Sequence, residues 1–372
     1  MSSKVYFTDF HCNPGKSQLE KLLRMIKQGG IDKIDFKDKF VAIKIHFGEW
    51  GNMSFLRQQY AKVVCDYIKE KGGKPFLTDC NTLYAGYRQN ALDHLDAAYQ
   101  NGYNPLATGV HTIIADGLRG TEERCIPITG GKYFKEAMIG SAIADADILI
   151  SMTHFKGHIE AGFGGTIKNI GMGCGSKRGK MAMHSNSTPV IDKDVCIGCG
   201  MCVKSCANDG VHVLQDHKAE IDEEHCLGCG HCFAFCPRGA IDCKWDEMGV
   251  ALNEKIAEYA KAVLTGKPAF HISFVKEVSP NCDCNPGNDI AIVPDVGMFC
   301  SFDPVALDHA CADAVNSQPI IEGSYVDKVS HHRHEGEDLS KLMYPESGWE
   351  GLFEHCEKLG LGTREYEIVN VK

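Results

Sequence analysis

This 372-residue sequence has no apolar run long enough to span a membrane. At its start, Met1-Ser2-Ser3-Lys4-Val5, there is no basic segment leading into an apolar core. The first absence argues against a membrane partner, and the second against a secretory leader. Positive charge is not in excess either: 39 Lys and Arg against 49 Asp and Glu leave a formal charge of −10, which disfavours a nucleic-acid partner. No Gly-x-Gly-x-x-Gly fingerprint follows an apolar run, so a dinucleotide held by that loop is not indicated, while a flavin held another way stays open. No Gly-Lys-Ser/Thr closes a Walker loop, and no glutamate stands between His154 and His158 where a zinc protease needs one. Cysteine, by contrast, is abundant. Nineteen cysteines without a leader imply a reducing, cytoplasmic setting. Hydrophobic content of 44% and charged content of 24% are ordinary for a globular chain with room for two or three domains.

Eight of the cysteines fall in two runs of one pattern, Cys196-x2-Cys199-x2-Cys202-x3-Cys206 and Cys226-x2-Cys229-x2-Cys232-x3-Cys236-Pro237, offset by 30 residues. Each run offers four thiolates at the spacing of a four-iron four-sulfur cluster, with Gly198, Gly200, Gly228 and Gly230 letting the backbone curl. Structural zinc uses pairs set well apart, and disulfides do not suit such crowding. The oxygen sensitivity of such clusters fits an anaerobe or a protected compartment.

The stretch from Val190 to Cys243 resembles bacterial-type two-cluster ferredoxins, most closely at Cys236-Pro237-Arg238-Gly239-Ala240-Ile241. The first run departs from the family at Cys206-Ala207-Asn208-Asp209-Gly210, which lacks the proline. The resemblance implies two 4Fe-4S clusters and a crossed fourth ligand: Cys196, Cys199, Cys202 and Cys236 on one, Cys226, Cys229, Cys232 and Cys206 on the other.

Around this stretch, apolar runs alternate with helical periodicity. Strands are expected at Val5–Asp9, Phe40–Phe47, Pro75–Thr78, Val110–Ala115, Ile148–Met152, Phe270–Val275 and Asp289–Asp295. Helices are expected near Ser17–Lys27, Phe55–Lys71, Ala91–Gln100, Lys135–Ala144 and Leu252–Leu264, with one opened by Asp303-Pro304. That rhythm predicts an α/β fold with a mostly parallel sheet covered by helices. It breaks near Met183 and resumes near Ala251. Residues 1–186 and 249–372 therefore read as one discontinuous α/β domain, with 187–248 as an insertion. The tail beyond Gly323 reads as loop, with an added strand at Tyr366–Val371.

In a parallel sheet the carboxyl ends of the strands share a rim where ligands bind. Polar groups stand at those ends: Lys44, His46 and Glu49, then Asp79 and Asn81, then His154 and His158, then Asp295. His154 and His158 are expected to share a helical face and serve as proton donors, with Lys44 and Lys168 as partners in catalysis. The loop Gly162–Asn169, including Gly164, Gly165, Lys168 and Asn169, suits an anion cradle of backbone N–H groups, with His46 and Asp79 as further substrate contacts. Asp303 is expected to cap a helix. Cys65 and Cys311 are expected in the core, Cys174 and Cys300 lie nearer polar loops, and His331-His332-Arg333-His334 reads as surface.

The run Ser151–His184, with His154-Phe155-Lys156-Gly157-His158, Gly164-Gly165-Thr166-Ile167-Lys168-Asn169 and Met172-Gly173-Cys174, together with Asp303-Pro304-Val305-Ala306-Leu307-Asp308, is similar to the family called domain of unknown function 362. Members often carry a ferredoxin insertion in this place, which implies the discontinuous arrangement but no substrate. The leading functional expectation is a ferredoxin-coupled oxidoreductase that passes electrons to an anionic substrate or second cofactor. A non-catalytic carrier docking a redox partner protein, or a scaffold for metal-cofactor assembly using Cys282, Cys284 and His184, are the alternatives. Oligomeric state is left open.

Overall fold

The computed structural model describes residues 2–84, 86–184, 188–206, 208–226, 231–242, 249–330 and 337–372. An eight-stranded sheet runs through it: β1 (Ser3–Asp9), β2 (Phe40–Ile45), β3 (Lys74–Asp79), β4 (Thr112–Ile114), β5 (Ile148–His154), β6 (Ala269–Val275), β7 (Gly297–Ser301) and β8 (Tyr366–Asn370). The order across it is β8-β1-β7-β6-β5-β2-β3-β4. Strands β2 to β6 are mutually parallel, β8 is parallel to β1, and β7 is antiparallel to both its neighbours. This is the mostly parallel α/β sheet that the alternating pattern predicts.

Both faces are covered, which is why β5 is buried at every residue and reads as a continuous apolar run. On one face Ile43, Ile150 and Phe274 pack with Leu22 and Ile26 of helix Gln18–Gln28 and Val64 and Ile68 of helix Gln58–Glu70. On the other, Ala42, Leu149 and Val275 pack with Ile167 and Ile170 of helix Thr166–Cys174 and with Ile256 of helix Gly249–Leu264. Cys65, Cys174, Cys300 and Cys311 are all fully buried in these cores.

Strands from both sides of the cysteine-rich stretch enter the one sheet, whereas Val190–Asp242 lies outside it. There, Val190–Ile191 pairs antiparallel with Ile241–Asp242, and Val211–Val213 with Ala219–Ile221. Short helices Met201–Ser205 and His231–Phe235 complete the unit, whose small core holds Cys196, Cys202, Cys232, Val211, Ala219, Ala240 and Ile241.

Several sequence expectations need correction. Asp289–Asp295 is not a strand; Pro294 would leave a missing ladder donor there, and the strand forms at Gly297–Ser301 instead. Lys135–Ala144 is not one helix: Glu136–Gly140 pairs as a strand with Glu123–Pro127, and only Ser141–Asp145 is helical. A short apolar run cannot be sorted by periodicity alone. The tail is not simply loop, since Tyr325–Val329, Leu339–Met343 and Glu350–Lys358 are helices. His154 and His158 share no helix: His154 ends β5, and Lys156–His158 pairs with Gly162–Gly164 in a hairpin. No helix among the described residues is long and apolar enough to cross a membrane.

Candidate functional site

The carboxyl ends of β2, β3 and β5 open onto a cavity of about 290 Å³. Lys44 of β2 and Asp79 of β3 form its floor, with Nζ 3.0 Å from the carboxylate and both side chains almost wholly buried. Lys44 also donates to Asn169 Oδ1 at 2.7 Å, while Asn169 Nδ2 donates to Met152 O at 3.1 Å and Thr153 Oγ1 at 3.0 Å. A side chain at Gly173 would meet Lys44 Nζ at 2.6 Å, so this glycine makes room for the lysine. Burial disfavours the Asp79 charge, but Lys44, His94 and Arg88 outweigh it and hold the carboxyl below its usual range.

Arg88 is an anchor that the sequence did not flag. Its side chain is 2% exposed and donates to Glu49 Oε2 at 2.9 Å, lies 3.6 Å from Asp79 and bonds the Tyr84 hydroxyl. Glu49 is thereby spent as a counter-ion. Asn81 is likewise structural, donating to Asp116 Oδ1 at 2.8 Å, and Asp295 accepts from the Glu277 N–H at 2.6 Å. Neither lines the cavity.

The expected pair of histidines divides. His154 does not line the cavity: Nδ1 donates to Asp283 Oδ1 at 2.8 Å and Nε2 to Lys276 O at 2.7 Å, so both ring nitrogens are committed. Lys156 Nζ lies 3.3 Å from the other Asp283 oxygen. Burial opposes the Asp283 charge, yet His154 and Lys156 hold it far below the usual carboxylate range. His158 does line the cavity, as does His46; burial keeps both rings neutral. The hairpin carrying His158 is tied to the cysteine loop, since Gly157 N–H donates to Ser279 O at 2.9 Å.

That loop brings Cys282 and Cys284 to the cavity, where one ligand atom from each of them and from His158 lies within 4.8 Å of the others. Lys168 Nζ stands 3.9 Å from Cys282 Sγ. The Cys284 thiol bonds the Cys282 sulfur and lowers its pKa well below the ordinary thiol value against the effect of burial, with Lys168 and Lys156 adding to the fall.

The glycine loop does not present the open row of N–H groups expected of an anion cradle. Gly162–Gly164 is a strand, and the first N–H groups of helix Thr166–Cys174 are taken by Asp308, whose oxygens accept from Thr166 at 2.7 Å and Ile167 at 2.8 Å. Gly165 is needed because a side chain there would strike this carboxylate at 2.6 Å. Asp303 caps its own helix as expected, accepting from Val305 at 2.9 Å and Ala306 at 3.0 Å. Gly164, Gly165 and Lys168 still line the cavity, and its charge comes from side chains: Lys44, Arg88, Lys156, Lys168 and Lys180 against Asp79 and Glu160. No carboxylate lies within 4.0 Å of Lys168 among the described residues.

In the cysteine-rich unit, Cys196, Cys199, Cys202 and Cys236 line one small cavity, three from the first run and one from the second. Backbone N–H groups donate to the sulfurs, Ala219 to Cys196 at 3.4 Å and Ala240 to Cys236 at 3.3 Å. This donor set, four sulfurs around one space with N–H groups aimed at them, fits an iron–sulfur cluster. Cys206 Sγ accepts from Gly210 at 3.2 Å, and a side chain on Gly210 would meet the Cys226 backbone at 2.9 Å, so Cys206 sits beside the second run. Cys229, Gly228, Gly230 and His331 to His334 lie outside the described residues.

The unit leans on the rim. Phe233 packs with Leu83 and Met181, and Lys177 Nζ lies 5.7 Å over its ring. Leu83 and Tyr84 line both the main cavity and the groove that contains Phe233 and Cys236.

Among solved structures, the lactate racemase apoprotein from Thermoanaerobacterium thermosaccharolyticum is similar at 12% identity and a TM-score of 0.41, covering 85% of this chain and 58% of that one. A Thermotoga maritima protein is similar at 11% identity and a TM-score of 0.35, covering 69% of this chain and 49% of its own. This chain thus spans only about half the length of those proteins. No curated protein matches it. Residues 41–313, a span that includes every residue lining the cavity, match one family, and the chain belongs to it: Domain of unknown function (DUF362).

Proposed function

We propose that the chain is an iron–sulfur oxidoreductase, in which an inserted ferredoxin unit serves an anionic substrate bound in the rim cavity of the α/β domain. The observation that carries this reading is the shared wall: Leu83 and Tyr84 border both the cation-lined cavity and the groove holding Cys236. A docking adaptor needs no such closeness. Cys196, Cys199, Cys202 and Cys236 would hold one cluster, and Cys226, Cys229, Cys232 and Cys206 the other. Such clusters supply one electron each at low potential.

The remaining roles belong to side chains. Lys168 and Lys180 attract and orient the anionic group, because Lys44, Arg88 and Lys156 are already matched by Asp79, Glu49 and Asp283. Glu160 lines the cavity with its carboxyl raised by burial, so it holds a proton more readily than an exposed glutamate and is the candidate proton donor. His158 is a neutral wall contact. Asp283 and His154 position the cysteine loop.

The test uses oxalate, malonate and inorganic phosphate as probes in anaerobic calorimetry. At least one should bind, and Lys168→Ala should weaken it about tenfold with iron content unchanged. Probes that bind equally well to the variant, or none that bind at all, would leave the cavity without its proposed role.

A further inference from the structure

We propose that Cys282 and Cys284 are a redox-active pair, a dithiol that reduces a small anionic disulfide admitted to the rim cavity. It deepens the oxidoreductase reading, but only its re-reduction half rests on that reading.

The loop is built to hold two sulfurs side by side. Asn285 N–H donates to Cys282 O at 2.8 Å, closing a turn over Cys282–Asn285. The residue between the cysteines is pinned three ways: Asp283 O accepts from Glu49 N–H at 2.8 Å, and its carboxylate is held by His154 at 2.8 Å and Lys156 at 3.3 Å. Cys282 is 6% exposed and Cys284 half-buried, yet both border the cavity. Lys168, 3.9 Å from the Cys282 sulfur, places a cation where a thiolate is needed. Of the other core cysteines, Cys80 also borders the cavity but is 1% exposed, with its thiol donating to Cys174 O at 3.4 Å, and Cys300 and Cys311 do not line it.

A metal ion is the competing use of Cys282, Cys284 and His158. His158 speaks against it. Its Nδ1 accepts from the N–H groups of Glu160 at 3.2 Å and Ala161 at 3.1 Å, so the neutral ring carries its proton on Nε2. No ring lone pair is left for a cation, and metal-bound histidines show the opposite arrangement, donating from the second nitrogen.

The chemistry balances with a disulfide as oxidant. Cys282 thiolate attacks one sulfur of RS–SR, forming a Cys282 mixed disulfide and releasing RS⁻. Cys284 gives its proton to that thiolate and attacks Cys282 sulfur, closing the Cys282–Cys284 bond and releasing the second RS⁻. Two electrons and one proton, the electrons from one-electron donors of the iron–sulfur class, return the pair to thiolate and thiol. Substrate size is bounded by the cavity, about 290 Å³, and substrate charge by Lys168 and Lys180.

The test applies 3,3′-dithiodipropionate, a small dianionic disulfide, to the full-length reduced protein under anaerobic conditions. Tryptic peptide Glu277–Lys328 separates this pair from every cysteine of the two runs. Its two reactive thiols should vanish together into one internal disulfide, and Cys284→Ser should stop at a mixed disulfide on Cys282. Lys168→Gln should slow the dianionic probe about tenfold and neutral 2-hydroxyethyl disulfide far less. Separate adducts on Cys282 and Cys284, no reaction at either, or one equivalent of zinc that must be stripped first would overturn the proposal. If exchange succeeds but reduced protein fails to reopen the disulfide, the redox pair stands and the electron-delivery reading falls.

Discussion

Lys44 and Asp79 reach each other from adjacent parallel strands, 3.0 Å apart, with side chains only 1% and 3% exposed. Arg88 leans on the same carboxylate from 3.6 Å. Removing one partner of such a cluster strands the others out of water. Asp79→Ala should therefore cost about 3–5 kcal/mol, read as a lowered urea midpoint. An unchanged midpoint would mean these charges are solvated after all.

Acid should weaken the fold through buried histidines. Burial pushes His94 and His271 down to about 3, so the native state refuses protons that the unfolded chain takes up below its ordinary histidine value. Stability is full above about pH 6.5 and lost as pH falls toward 3, by about 1.4 kcal/mol per pH unit for each ring. Asp116 and Asp308, raised to about 6 by burial, act with the opposite sign between about pH 6 and 4. The readout is thus a difference: His271→Gln should flatten the pH dependence of unfolding by about one proton, and an unaltered slope would contradict it.

The crossing of ligands between the cysteine runs has its own signature. Cys236 shares a cavity with Cys196, Cys199 and Cys202, and Cys206 sits beside Cys226. Cys236→Ala should spoil the cluster of the first run and Cys206→Ala that of the second, each variant retaining about four irons. Mössbauer spectra in which each substitution destroys only the cluster of its own run would rule the crossing out.

What the sequence disclosed follows from which interactions are local. Apolar periodicity marked most strands of the sheet, and the parallel arrangement gathered Lys44, His46 and Asp79 at one cavity, to which helix Thr166–Cys174 brings Lys168. Arg88, Lys156 and Asp283 were not legible as site residues, because their significance lies in partners as distant as Asp79, Glu49 and His154. Asp308 looked like part of a helix-capping signature, yet it caps a different helix, 141 residues back at Ile167. The glycine-rich loop misled for the same reason: the N–H groups of Thr166 and Ile167 are taken by a carboxylate that spacing cannot reveal. Pro294 could have warned against a strand at Asp289–Asp295.

The pairing of Val190–Ile191 with Ile241–Asp242 brings the two ends of the cysteine-rich unit together. Replacing residues 187–248 by a short Gly/Ser linker should then leave the eight-stranded sheet intact, with α/β circular dichroism retained. Aggregation at every linker length tried would show that the two parts share a core.

Clusters beside a substrate cavity would show first in the composition of anaerobically purified protein. About eight irons and eight acid-labile sulfides per chain are expected, with two interacting spins in the paramagnetic resonance spectrum after reduction. Stoichiometric zinc with little iron would contradict it.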